Sequence, residues 1–136
     1  MDRLHVVIGI IINANNECCI AKRAKHVHLG GLWEFPGGKV EPNEEANIAL
    51  ARELNEELGI IVQRASPFIQ IPYDYVDRKV FLDFWLITEF TGEAKGREGQ
   101  PVKWVPLPQL AEYEFPEANR LVIAHLLNPL ARNTNG

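Results

Sequence analysis

Residues 38–60, GKVEPNEEANIALARELNEELGI, carry the reading on which the fold assignment turns. Pro42, Asn43, Glu44 and Glu45 form a helix-start signal, with Asn43 as the expected cap and acids in the first turn. The helix is expected to run to about Leu58, where Gly59 is suited to a left-handed terminator. Leu50, Leu54 and Leu58 recur every four residues and define one apolar face. Glu53, Glu56 and Glu57 stand at i, i+3 and i+4 and share another. At about 100° per residue, the acidic face lies roughly a third of a turn from the leucine face. The carboxylates are therefore expected beside the core, at the rim of a cleft.

Such crowding of like charges is unfavourable. Two unit charges about 4 Å apart repel by ~4 kcal/mol at an effective dielectric of ~20. Cations in the site relieve this, and carboxylate oxygens suit hard ions such as Mg²⁺ and Mn²⁺. Arg52 is expected to brace Glu56 at i+4. The plainer reading of three glutamates on a helix is a solvated acidic face.

Upstream of the helix, residues 4–12 are a β-branched run expected as a strand. Asn13, Ala14, Asn15 and Asn16 signal a turn, and residues 18–23 would return as the second strand of a hairpin. Residues 26–31 read as a loop, and 32–35 as a short extended segment that stops at Pro36-Gly37-Gly38. Downstream, residues 68–76 and 79–89 flank Asp77-Arg78 and read as a long antiparallel hairpin. Residues 91–100 hold three glycines and read as a loop, and 102–105 as a short strand. A second helix is expected from Glu117 to about Leu127, and 132–136 as a frayed tail. Hairpins mixed with helices, without regular βαβ units, point to an α+β or sandwich-like layering.

The chain has 136 residues, 46% hydrophobic and 24% charged, which suits one soluble globular domain over residues 1–136. The formal net charge of −4 and the lack of a Lys/Arg run argue against a nucleic-acid polymer as partner. A small anionic substrate remains open, because metal ions mask local negative charge. Cys18 and Cys19 are neighbours whose side chains point to opposite faces of a strand, so no disulfide is expected. No apolar stretch approaches the ~18–20 residues of a membrane helix. The first residues show no signal-peptide pattern. A cytoplasmic monomer is the expectation.

The spacing of residues 38–60 matches G-x5-E-x7-R-E-U-x-E-E-x-G-U, with U a bulky aliphatic, at every specified position: Gly38, Glu44, Arg52, Glu53, Leu54, Glu56, Glu57, Gly59 and Ile60. That pattern is the Nudix box, and the chain resembles the Nudix hydrolase family. The resemblance implies the Nudix fold, an α/β/α sandwich with a mixed sheet in which the box forms a loop–helix–loop. It implies hydrolysis of a nucleoside diphosphate linked to another moiety, with Mg²⁺ as cofactor and Mn²⁺ as a substitute.

Beyond the box, about residues 3–127 are similar to the family's 8-oxo-dGTP diphosphatases. The matching points are residues 7–11 (VIGII), Arg23, His28, 34–39 (EFPGGK), Asp77-Arg78, 84–86 (FWL), 98–101 (EGQP) and 115–119 (FPEAN). Trp33 departs from the smaller residue common there. Carried over, the resemblance makes Glu53, Glu56, Glu57 and Glu98 the metal cluster, completed by a backbone carbonyl of Gly37 or Gly38. Glu53 is the candidate general base and equally a candidate metal ligand. Arg52 and Lys39 join the catalytic set, Lys39 by neutralising phosphate charge. Arg23, His28, Glu34, Phe35, Pro36, Gly37, Arg78 and Asn119 are the candidate substrate contacts. Arg23 could pair with phosphate oxygens, or be an exposed strand end. His28 could be an ordinary loop histidine, Arg78 a turn residue, Glu98 a solvated loop acid. Phe84 and Trp85 fit the core better than a base stack.

Phe35 and Asn119 would frame the base. In 8-oxoguanine, N7 carries a proton, so O6 and N7–H form an acceptor/donor pair that an amide could meet with both its groups. Otherwise Asn119 is a polar helix residue facing water. The implied reaction is water attack at the β-phosphorus of 8-oxo-dGTP, giving 8-oxo-dGMP and pyrophosphate and keeping a mutagenic precursor out of DNA. The alternatives are a Nudix pyrophosphatase for cytidine nucleotides or dihydroneopterin triphosphate, and a non-catalytic Nudix module that binds an oxidised base.

Overall fold

In the computed structural model, which describes residues 3–24 and 30–128, the first β-branched run forms β1 (Leu4–Ile11). It is followed by β2 (Glu17–Lys22), β3 (Trp33–Glu34), β4 (Gly37–Lys39) and helix α1 (Ala46–Leu58). The hairpin β5 (Ile61–Asp74) and β6 (Lys79–Thr91) comes next, then β7 (Val102–Pro106) and helix α2 (Glu117–Leu126). A 3-10 helix, Leu107–Glu112, follows directly on β7 and was not anticipated. The tail expected at 132–136 lies outside the described residues.

Two sheets form. The four-stranded one has the order β4-β1-β6-β5, and the three-stranded one β3-β2-β7. β1 and β6 run parallel, and the other pairings are antiparallel, so the larger sheet is mixed. Alternation along β1 feeds two buried clusters. Ile8, Ile10 and Ile12 join Phe84 and the α2 residues Val122, Ile123 and Leu126. Val7 and Ile11 join Ile87 and the expected α1 face, Leu50, Leu54 and Leu58, all fully buried. The helices thus cover opposite faces of the larger sheet, the layering of an α/β/α sandwich. Cys18 falls in the first cluster and Cys19 in the second, both as free buried thiols. Burial holds both thiols protonated, Cys19 up to about 12.

Three local expectations are corrected. β2 does not form a hairpin with β1: the two meet only at the bridge Ile12↔Cys18. Both edges of β1 are taken by β4 and β6, so β2 pairs with β3 and β7 instead. The extended segment does not stop at the glycines, because Gly37–Lys39 pairs with β1 as β4. A Cβ at Gly37 would overlap the Val7 carbonyl, so glycine is what lets the strands approach. Finally, Asn43 does not cap α1. It sits in a turn with φ 65°, Glu45 is the cap, and no acid lies in the first turn. At the other end Gly59 is left-handed as expected, with φ 78° and its N–H donating to Asn55 O at 2.9 Å.

β5 begins at Ile61 rather than residue 68. Register shifts at Val62/Arg64 and Pro67/Ile69 break the alternation that marks a strand. No helix among the described residues is long and apolar enough to cross a membrane.

α1 is seated closely: a Cβ at Gly9 would lie 2.9 Å from Leu54 Cδ1 and 3.0 Å from Ile87 Cδ1. Leu54→Ala removes a fully buried side chain from that contact and is expected to destabilise the protein by about 2–5 kcal/mol. Urea unfolding should show a lower midpoint with an unchanged slope.

Candidate functional site

The acidic stretch of α1 is organised by Arg52. Its Nε and Nη2 donate to Glu44 at 2.8 and 2.9 Å, a two-pronged pair, and Nη2 also reaches the Lys39 carbonyl at 3.1 Å. Nη1 donates to Glu53 at 3.1 Å and lies 3.5 Å from Glu56. The expected Arg52–Glu56 brace is therefore secondary, and Glu44 is the main partner. The turn before α1 aims Glu44 for this: Glu41 N–H donates to its Oε1 and its own N–H to the Glu41 carbonyl, both at 3.0 Å. The Arg52 guanidinium holds the Glu44 carboxyl down at about 2.

Glu57 is in the opposite situation. Burial, and then the charges of Glu34, Glu53 and Glu98, push its carboxyl up to about 9. Burial raises Glu53 as well, against the pull of Arg52. The two glutamates are coupled: the charge of Glu53 adds to the rise of Glu57, and Glu57 lowers Glu53.

Glu98 reaches this group through its loop. Lys95 and Arg97 N–H groups donate to the Leu58 and Glu57 carbonyls at 3.0 Å, and Gln100 Nε2 to the Glu57 carbonyl at 3.2 Å. The loop thus satisfies the last carbonyls of α1 and brings the Glu98 charge to Glu57. From the other side, a Cβ at Gly38 would overlap the Glu53 carboxyl group.

These groups fit a divalent cation in donor chemistry. They offer oxygen only, the Glu53 carboxyl fills the space above Gly38, and Glu57 has no cationic partner among the described residues. Among those residues no three acids already converge on one point.

Gly38 also borders a cleft of about 240 Å³. Its lining includes Arg23, Glu34, Gly37 and Lys39. Arg23 Nη1 lies 2.7 Å from Glu34 Oε1, so the strand-end arginine is engaged with an acid of the cleft. Burial nonetheless raises the Glu34 carboxyl. Arg78 from the β5–β6 turn and Asn119 from α2 also line it. Arg78 is half exposed, with Asp77 3.9 Å away. Asn119 is 8% exposed; its side-chain amide makes no hydrogen bond with the described residues but is open to the cleft, since Trp85 Nε1 is the only fully buried, unpaired side-chain polar atom among them.

Phe35 lines the cleft but is packed between Phe115 and Phe84, at ring distances of 5.1 and 6.3 Å. Pro36 does not line it; its carbonyl accepts the Gly9 N–H at 2.8 Å and anchors β4 to β1. His28 lies outside the described residues. Phe84 is fully buried, and Trp33 packs on Tyr113, away from the cleft.

Sequence reasoning missed the cleft floor, Leu4, Val6 and Ile8 of β1 with Val80 and Leu82 of β6, and the wall residue Tyr75. The floor residues alternate along their strands, a signal that marks a buried face without saying that it borders a cavity. Tyr75 carried no signal beyond its place beside a turn.

The NUDIX domain family profile matches residues 7–125. The 8-oxo-dGTP diphosphatase of Escherichia coli (strain K12) is 45% identical over 126 residues, covering 93% of this chain and 98% of that protein. The CTP pyrophosphohydrolase of the same strain is 33% identical over 113 residues, 83% of this chain and 84% of its own. A solved structure of MutT (Aliivibrio salmonicida and Vibrio cholerae) superimposes with a TM-score of 0.84 at 45% identity, over 93% of this chain and 98% of that one.

Glu57 generates a stability prediction with a definite sign. The unfolded chain releases this proton near 4.5, whereas the folded state holds it to about 9. Below about 4.5 no penalty arises, and as pH rises from 4.5 towards 9 the folded state progressively loses stability. Glu57→Gln removes that penalty. In metal-free buffer at pH 8 the variant is expected to be more stable than the parent by about 1–3 kcal/mol, with no advantage at pH 4.5. Thermal melts at the two pH values check it.

Proposed function

The chain belongs to the Nudix hydrolase family, and from that membership we propose that it is a MutT-like 8-oxo-dGTP diphosphatase, a metal-dependent enzyme that sanitises the nucleotide pool. It converts 8-oxo-dGTP and water to 8-oxo-dGMP and pyrophosphate, so that the oxidised nucleotide is not incorporated opposite adenine. The observation that carries the substrate is the Asn119 amide, carried on the largely buried start of α2, unpaired by the described residues and open to a cleft that also borders Gly38 beside Glu53. A base with matching donor and acceptor replaces water on that amide, whereas a base with the wrong edge leaves one of its groups unpaired at a cost of about 1–3 kcal/mol. 8-Oxoguanine presents O6 and N7–H to it, whereas guanine presents two acceptors and leaves a mismatch at N7.

With the base at Asn119, the triphosphate extends towards Gly38. Arg23 and Lys39 face it there, Arg23 exchanging its Glu34 partner for phosphate oxygen. Glu53, Glu56, Glu57 and Glu98, with a carbonyl of Gly37 or Gly38, would hold Mg²⁺ or Mn²⁺, which supplies charge neutralisation and a more acidic water when bound. Glu57 has to release its proton to serve as a ligand, so cation affinity rises with pH. Water attacks the β-phosphorus, the bond from that phosphorus to the α–β bridging oxygen breaks, 8-oxo-dGMP departs with the bridging oxygen, and the water oxygen ends in pyrophosphate. Glu53, oriented by Arg52 and raised by burial, accepts the water proton. Cleft and acids come from one chain, which fits a single domain acting as a monomer.

Pyrophosphate release from 8-oxo-dGTP, dGTP, CTP and dihydroneopterin triphosphate, with Mg²⁺ and with EDTA, tests the proposal. Turnover is expected only with metal, and kcat/KM for 8-oxo-dGTP should exceed that for dGTP by about 10³-fold or more. A preference for CTP would transfer the reading to a cytidine pyrophosphohydrolase, and no turnover at all would leave a binding module. Asn119→Ala is expected to lower kcat/KM for 8-oxo-dGTP by about 10²–10³-fold and for dGTP by less than about tenfold.

A further inference from the structure

Tyr75 and Asn119 face the cleft from different elements, the end of the β5–β6 hairpin and the start of α2. Each has a neighbour two positions earlier that lies outside the cleft. Those neighbours, Tyr73 and Glu117, meet: the Tyr73 hydroxyl donates to Glu117 Oε2 at 3.1 Å. On the strand side, the Tyr73 and Tyr75 rings lie 4.7 Å apart, tilted by 55°. On the helix side, Glu117 and Asn119 share the first turn of α2, where the Asn119 N–H donates to the Pro116 carbonyl at 3.0 Å. A continuous path, Tyr75–Tyr73–Glu117–Asn119, therefore joins the two walls of the mouth. Near its other end α2 touches the same hairpin through Phe68 and His125, rings 5.5 Å apart and edge-on. The helix is thus attached to the hairpin at both ends, and the Tyr73–Glu117 bond is the attachment beside the base site.

We propose that the Tyr73–Glu117 hydrogen bond is a specificity device: it sets the width of the cleft mouth and so the placement of the Asn119 amide against the base. This rests on Asn119 reading the base, as proposed above. Tyr73 and Glu117 are positioning residues and touch no reacting atom. The physical reason is tolerance. A two-bond contact between an amide and a base edge weakens quickly once donor–acceptor distance and angle drift. A helix start free to shift would keep the pocket but lose the discrimination.

The test is a double-mutant cycle on Tyr73→Phe and Glu117→Ala, with Glu117→Gln as the conservative control. kcat/KM is measured for 8-oxo-dGTP and dGTP at a temperature well below every variant's melting point. Tyr73→Phe and Glu117→Ala are each expected to lower the 8-oxo-dGTP/dGTP selectivity by about three- to tenfold. The loss should lie in the KM for 8-oxo-dGTP, with kcat within about twofold of the parent. Glu117→Gln keeps an acceptor and is expected to retain the parent's selectivity. The double variant should be no worse than either single, because both remove one bond. Unchanged selectivity in Tyr73→Phe, or losses that multiply in the double variant, would overturn the proposal. A parent enzyme with no preference for the oxidised nucleotide would instead overturn the substrate reading. The same cycle, read on the KM of whichever nucleotide is preferred, would still decide whether the clasp shapes the mouth.

Discussion

Position 38 has no room for a side chain, because the Glu53 carboxyl group occupies the space that a Cβ would need. This close approach joins the two halves of the site. Gly38 belongs to β4, which borders the cleft, and Glu53 belongs to α1, which carries the acids. Other features hold the approach in place. Leu50, Leu54 and Leu58 bury one face of α1, and Gly9 lets Leu54 and Ile87 close over β1. The Arg52 fork ties α1 back to Glu44 and to the Lys39 carbonyl at the end of β4. The 95–100 loop binds the carbonyls at the far end of the helix. The acidic helix is therefore fixed along its length before any ligand arrives, while among the described residues its acid side chains have still to converge on one.

The glutamates of this region divide into two kinds, and Arg52 makes the division. Glu44, paired with it at two atoms, is held ionised far below neutrality. Glu57, beyond its reach and surrounded by Glu34, Glu53 and Glu98, keeps its proton at neutral pH. One class of acid shapes the backbone, and the other stores unneutralised charge potential where the cleft meets the helix. Positive charge brought in from outside, as proposed, would relieve the second class, since the free protein gains nothing from gathering these carboxylates. Glu34 stands between the classes: burial raises it, while Arg23 holds it at 2.7 Å.

The parts of this arrangement legible in the sequence are the local ones. A leucine every fourth position, acids at i, i+3 and i+4, and a terminating glycine all report on one helix, and the helix has those faces and that end. Non-local partners were not legible. Nothing between residues 4 and 23 says that both edges of β1 will be occupied, so the hairpin with β2 looked natural. The Gly37-Gly38 pair resembled a stop because glycine is usually a breaker. Its role here is to permit contact with Val7 and Glu53, which lie far off in sequence or on another element. The same limit explains Arg52, whose i+4 neighbour Glu56 was the visible partner while Glu44, eight positions back, is the real one. The cleft floor was hidden differently: Leu4, Val6 and Ile8 read as core, and only the placement of α2 reveals a space above them.

That placement also accounts for the selectivity expected of the cleft. α2 buries Val122, Ile123 and Leu126 in the cluster that includes Ile8 and Phe84 beneath the cleft, so Asn119 sits one turn from a rigid anchor. A surface asparagine could rotate, or exchange its bonds with water, and would accept guanine and its oxidised form alike. A buried asparagine without that freedom imposes its donor and acceptor in a fixed order. In the free protein that amide is open to the cleft, and a base with the wrong edge would strip its water without replacing the bond. With Asn119 reading the base as proposed, discrimination would come from the bond that the wrong nucleotide leaves unmade.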